Sequence, residues 1–143
     1  MIILVINCGS SSIKYQLLDM KNDDVYSLLA KGIVEKIGLE CGRLQHTPAG
    51  KEKVVKDLPV PDHTVGMQIV LDALIDKDHG VLKSFDDIEA VGHRIVQGAD
   101  FFSGSAIVDE DVIKKIDFCC DFAPLHNPAH LLGIRACQEV LPS

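Results

Sequence analysis

No apolar run in this sequence comes near the roughly 20 residues of a membrane-spanning helix, so the chain is not expected to cross a bilayer in helical form. Runs of lysine and arginine are missing too. Fourteen basic residues stand against 21 acidic ones, a formal charge of −7, which argues against general nucleic-acid binding. A small polyanion is not excluded by that balance, because its site needs only a few local cations. The five cysteines are odd in number and have no paired C-x-x-C spacing, and Cys119 and Cys120 are adjacent, a poor geometry for a disulfide. They read as small apolar residues in a reduced compartment. The start of the chain has no basic region or cleavage site, and Asn7 interrupts its apolar stretch early, so the cytoplasm is the expected location. Repeats, low-complexity tracts and a dividing linker are likewise lacking, and residues 1–143 are expected to form a single domain.

What is present reads as an ordered globular chain, 47% hydrophobic and 24% charged. Ile2 to Ile6 are five consecutive aliphatic residues, the pattern of a strand buried on both faces. After Asn7-Cys8-Gly9-Ser10-Ser11-Ser12, the residues Ile13, Tyr15 and Leu17 alternate with Lys14 and Gln16, the period of a second strand. A tight turn between two strands makes a concavity of backbone N–H groups. Ser10 and Ser12 add rotatable donors, and Gly9 permits close backbone approach. Lys14 lies on the face opposite Ile13 and Tyr15, free to meet an anion. Read from these residues alone, the segment is either a phosphate-binding hairpin or a hairpin with a polar turn.

Asn22-Asp23-Asp24 reads as a turn, followed by an extended stretch from Tyr26 to Ile37 that Gly38 ends. Arg43 to Thr47 and Lys51 to Lys56 flank Pro48-Ala49-Gly50, which predicts a hairpin with a turn at its tip. Asp62 is placed to cap a helix through Val65, Ile69 and Ala73 down to Gly80. Ile88 to Val96 predicts a central strand with His93 and Arg94 near its end. Asp109 caps the next helix, with Glu110 and Asp111 in its first turn. Asn127 followed by Pro128 predicts a capped helix running to about Val140, with Pro142 as its stop. The spacing of His126 and His130 invites a zinc site, but Pro128 leaves His126 outside the helix and no third ligand is implied. The other histidines, His46, His63, His79 and His93, read as solvent-facing or structural.

Three stretches, Asn7 to Lys14, Val91-Gly92-His93-Arg94-Ile95-Val96-Gln97-Gly98 and Ala123-Pro124-Leu125-His126-Asn127-Pro128-Ala129, together resemble the acetate kinase family in motif order and spacing. The resemblance runs along essentially the whole chain. It implies an α/β fold of the actin, Hsp70 and sugar-kinase (ribonuclease H-like) type, a lobe with a mixed β-sheet and flanking helices. The family's chains are much longer, so residues 1–143 would be the N-terminal lobe of a two-lobed kinase, inactive alone because the family's catalytic aspartate comes later. The implied reaction converts ATP and acetate to ADP and acetyl phosphate; propionate or butyrate kinases are the alternatives. A non-catalytic kinase-like domain binding an anion or a partner is the rival of another class.

The resemblance also assigns roles. Arg94 would bind the substrate carboxylate, and Val96 and Leu125 would line the pocket for its methyl group. Lys14 would contact the nucleotide phosphates, with Ser10 and Ser12 as weaker members of that cradle, and Asn7 would approach Mg²⁺. For His126 an active-site role and a helix-start hydrogen bond both stay open, and no other residue here is assigned to catalysis. Gln97 and Ala99 depart from the family pattern, which commonly has histidine and a second glycine there; the departures bear on acid preference rather than on reaction class. ATP or ADP and a short-chain carboxylate are the expected partners, with no nucleic acid or membrane, and the full-length enzyme is expected to be a homodimer.

Overall fold

The computed structural model describes residues 1–22, 24–102 and 104–141. Strands β1 (Ile2–Cys8), β2 (Ser12–Met20), β3 (Tyr26–Glu35), β4 (Gly42–Pro48) and β5 (Val54–Leu58) follow one another as an antiparallel meander. Helix α1 (His63–Ile75) then crosses to β6 (Ala90–His93), which pairs parallel to β1. The sheet order is β5-β4-β3-β2-β1-β6. Helices α2 (Glu110–Phe118) and α3 (Asn127–Val140) complete the described fold.

One face of the sheet carries the core. Leu4 and Ile6 of β1, Ile13 and Leu17 of β2, Val34 of β3 and Leu44 of β4 are buried against Met67, Leu71 and Leu74 of α1 and Ala136 and Cys137 of α3. Alternation decides this: with a side-chain period of two, Lys14 and Gln16 are exposed between buried neighbours. The same alternation corrects the reading of the first strand as buried on both faces. Leu4, Ile6 and Cys8 are buried, whereas Ile3, Val5 and Asn7 are only partly covered. A second, smaller cluster joins Ile113 and Ile116 of α2 to Ile134 of α3.

Close approach on the core face shows at Gly32, where a Cβ would collide with the Tyr15 ring. The Tyr15 hydroxyl in turn meets Nδ1 of His46, which is 1% exposed. His46 Nε2 lies 3.0 Å from the His79 carbonyl, which can only accept. The proton is therefore on Nε2, and Nδ1 accepts from Tyr15. Burial lowers the His46 pKa and raises that of Tyr15, so both stay neutral. His46 is thus structural, a strut linking β2, β4 and the turn after α1.

Several boundaries differ from the sequence expectation. Asp62 caps α1 by accepting the Val65 N–H at 2.9 Å, as expected, but the helix ends at Ile75 rather than near Gly80. The cause is Asp76, whose carboxylate accepts the N–H groups of Asp78 and His79 and turns the chain. β5 starts at Val54 rather than Lys51, after a tip closed by the Lys51 N–H on the Pro48 carbonyl. β6 is only four residues long and lies at the edge of the described sheet, not at its centre. Asp109 caps α2 as expected. Helix α3 ends at Val140 as expected, and Pro142 lies outside the described residues, as does Asp23 of the turn before β3. Within that turn the Asn22 side chain accepts the N–H groups of Asp24 and Val25.

Candidate active site

Register places three of the expected site residues side by side. Asn7 of β1 pairs with Lys14 of β2, and Ile6 pairs with His93 of β6. The Arg94 N–H continues that parallel ladder to the Ile6 carbonyl at 3.1 Å. Arg94, Asn7 and Lys14 therefore form a row across three adjacent strands, spanning about 10 Å at strand spacings of about 4.8 Å. All three point away from the helices, onto the open face of the sheet. They line a cavity of about 520 Å³ that continues past Gln45 to Lys31 and Lys53. No aspartate or glutamate among the described residues lines it. Among the described residues, no carboxylate pairs with Lys14, Lys31 or Arg94. In a chain of charge −7, Lys14, Lys31, Lys53 and Arg94 gather around one cavity, with the Glu35 carboxylate behind its wall accepting from Gln45 Nε2 at 2.8 Å. That local balance favours an anion.

The hairpin between β1 and β2 is tight. The Gly9 N–H donates to the Ser12 carbonyl at 2.8 Å, and a Cβ on Gly9 would come within 2.8 Å of the Ser12 hydroxyl oxygen. Ser10 is exposed at the tip, and neither Ser10 nor Ser12 lines the cavity. The structure thus does not bring these two serines together with Asn7, Lys14 and Arg94. A residue not singled out by the sequence braces the turn: His63, 7% exposed at the start of α1, donates from Nε2 to the Gly9 carbonyl at 2.8 Å. Cys8, beneath Asn7, is a buried thiol whose pKa burial pushes up to about 12, so it is inert packing.

Val96 and Leu125 are 46% and 79% exposed and lie outside this cavity. Val96 belongs to the loop after β6, and Leu125 to the turn before α3. The backbone of the Val96 loop is tied to α3. The Val96 N–H donates to His130 Nδ1 at 3.2 Å, and the Gln97 N–H donates to Asn127 Oδ1 at 3.1 Å. These bonds divert the loop from the β1 ladder, which is why the strand expected to reach Val96 ends at His93. The expected cap at Asn127 is corrected for the same reason. Asn127 is the first residue of α3, His126 occupies the cap position, and the Asn127 carboxamide turns to the loop. His126 makes no side-chain cap hydrogen bond; its ring is exposed and stacks on His130 with centroids 6.3 Å apart. His93, on the helix side of β6, has its pKa lowered to about 4 by burial and by nearby His130. Gln97 and Ala99 are linked: Gln97 Oε1 accepts the Ala99 N–H at 2.8 Å, and Ala99 has a left-handed φ of 48°, where glycine would fit without strain.

A mixed sheet in which an antiparallel β-meander is followed by a helical crossover to a parallel strand, with helices on the core face, defines an α/β lobe of the actin, Hsp70 and sugar-kinase type. The chain belongs to the acetokinase family, whose model matches residues 2–143. It is 52% identical to the acetate kinase of Alkaliphilus metalliredigens over 141 residues, covering 99% of this chain and 35% of that protein. It is 53% identical to the acetate kinase of Treponema denticola, covering 98% of this chain and 34% of the relative. The crystal structure of Porphyromonas gingivalis acetate kinase superposes with a TM-score of 0.94 at 44% identity, covering 99% of this chain and 35% of that one. A propionate kinase from Francisella tularensis gives 0.85 at 36% identity, with 99% and 34% covered. The chain therefore spans about a third of the length of the curated relatives it matches.

Proposed function

We propose that residues 1–143 act as the N-terminal lobe of a two-lobed phosphotransferase that makes acetyl phosphate and ADP from acetate and ATP. The observation that supports this reading is the row Arg94–Asn7–Lys14 in an open-face cavity that no carboxylate lines among the described residues. Phosphoryl transfer to a carboxylate poses an electrostatic problem. The acid is already ionised at neutral pH, since carboxyl groups titrate near about 4, so no base is needed to form the nucleophile. Bringing that anion against a polyphosphate costs about 4 kcal/mol per pair of unit charges about 4 Å apart at an effective dielectric near 20. Two fixed cations flanking a neutral amide offset that repulsion: the Arg94 fork meets the carboxylate, and Lys14 meets the phosphates.

Mg²⁺ fits this row in one limited way. It prefers hard oxygens and usually keeps waters while bound to substrate phosphates and one or two carboxylates. Asn7 offers a neutral oxygen, and among the described residues no carboxylate lines the cavity, so this lobe would hold the ion through Asn7 and the phosphates it accompanies. When bound, the ion would neutralise charge on the transferring group. Val96 and Leu125, the exposed apolar pair, would meet the methyl group of the acid once the rest of the kinase closes over them. The propionate kinase similarity keeps a longer acid as the second reading.

The test is Arg94→Ala in the full-length kinase. Losing a hydrogen bond to a charged group, worth about 1.5–3 kcal/mol, should raise KM for acetate by roughly tenfold or more and lower kcat, with KM for ATP nearly unchanged. Unaltered acid kinetics would overturn the proposal.

A further inference from the structure

Beyond Arg94, the loop that follows β6 has no strand to pair with, and its amides are satisfied by side chains of α3. His130 Nδ1 accepts the Val96 N–H. Asn127 grips Gln97 from both sides: Oδ1 accepts its N–H, and Nδ2 donates to its carbonyl at 2.8 Å. The same Nδ2 reaches the Ile116 carbonyl at 3.4 Å, which ties α2 into the arrangement. Asn127 and His130 are three residues apart on one helix face and are 0% and 4% exposed. Arg94 and Val96, by contrast, are exposed and have little packing of their own to set their direction.

The geometry points to Asn127 and His130 as positioning residues for the acid, a clamp from the first turn of α3 that fixes the segment carrying Arg94 and Val96. This inference rests on Arg94 being the carboxylate-binding residue. Rotation of the peptide joining Ile95 and Val96 would redirect the Val96 side chain and release the chain that leaves Arg94, and that N–H is the one His130 holds. The clamp requires Nδ1 of His130 to be an acceptor, so the ring is neutral with its proton on Nε2. Burial, His126 and the Arg94 charge all favour that neutral form. Asn127 is suited to the bidentate role because a carboxamide offers an acceptor and a donor on one planar group, matching the N–H and C=O of a single residue. Neither residue touches the open-face cavity, so each would act through the loop.

The experiment measures steady-state kinetics for acetate and for ATP in the full-length kinase. The variants are His130→Ala, His130→Asn, His130→Gln, Asn127→Ala and Arg94→Ala. Asparagine keeps an acceptor at the distance of Nδ1, whereas glutamine moves it one bond outward. His130→Ala and Asn127→Ala should each raise KM for acetate about tenfold, the loss of about one hydrogen bond, with KM for ATP within about twofold of the parent. His130→Asn should restore KM for acetate, and His130→Gln should not. If the alanine variants fail to fold, the asparagine–glutamine pair carries the comparison by itself. A parallel rise in both KM values, or equal behaviour of His130→Asn and His130→Gln, overturns the clamp. So do parental KM values in the clamp variants beside a raised acetate KM in Arg94→Ala. A parental acetate KM in Arg94→Ala overturns the functional reading, and the clamp with it.

Discussion

Replacing Gly133 with alanine tests how closely α3 is set against β1, the strand that carries Asn7. A Cβ at position 133 would intrude on Cys8 Sγ and lie 3.1 Å from Cys8 Cβ. The sulfur has little room to rotate away, since Cys8 is 3% exposed and the buried Cys137 belongs to the same cluster. Two effects oppose each other. Glycine to alanine inside a helix gains about 0.8–1.0 kcal/mol in propensity. Overpacking a filled core costs about 1–3 kcal/mol. The net expectation is a loss of about 1 kcal/mol, or roughly 3–5 °C in Tm for a chain of this size. In a Cys8→Ala background the sulfur is gone and only the Cβ contact remains, so Gly133→Ala should become neutral or stabilising. The four proteins of this double-mutant cycle should show a coupling of about 1–2 kcal/mol. Urea unfolding followed by far-UV circular dichroism, under reducing conditions, measures it. Gly133→Ala more stable than the parent, or effects of the two substitutions that add within about 0.5 kcal/mol, would refute the close approach of α3 to β1.

Asn7→Ala in the full-length kinase should raise the Mg²⁺ concentration needed for activity, and Lys14→Ala should raise KM for ATP while sparing that for acetate; superimposable Mg²⁺ titrations would return Asn7 to a purely local role at the end of β1. His93 predicts a pH dependence of stability. Its folded pKa is lowered from 6.5 to about 4, so between those values the unfolded chain binds more protons than the fold. Stability should therefore rise with pH across that window and be lost on acidification, by about 3 kcal/mol at most from this residue. His93→Gln should flatten denaturation midpoints between about pH 4 and 7 relative to the parent, and an unchanged slope would refute the assignment.

The elements governed by local pattern were legible in the chain. The first hairpin, the β4–β5 hairpin, and the caps at Asp62 and Asp109 all follow from alternation and from short side chains that satisfy the first amides of a helix. The boundaries that moved did so where a side chain drew the backbone elsewhere: Asp76 closing α1, and Asn127 and His130 ending β6. Asn127 before proline has the local chemistry of a cap, and nothing in the surrounding residues shows that its carboxamide is used by a loop 30 positions earlier. His46 and His63 were equally unreadable as partners, because their acceptors and donors lie 31 to 54 residues away.

The sequence by itself determined which face of β2 meets the core, because side chains alternate with a period of two whatever surrounds the strand, whereas the uniformly aliphatic β1 needed the fold to choose its face. It thereby placed Lys14 opposite Ile13 and Tyr15, and the three motifs it carries name the family to which the chain belongs. Only the tertiary structure decided that Arg94 stands beside Asn7. That adjacency depends on β6 pairing parallel to β1 across more than 80 residues of intervening chain, a register that no local periodicity encodes. The same long-range pairing adds Arg94 to the lysines that the meander brings to a cavity lined by no carboxylate among the described residues, although the chain as a whole is acidic. Composition sums charge over the whole chain, whereas an anion responds only to the few charges within about a Debye length, and folding selects which those are.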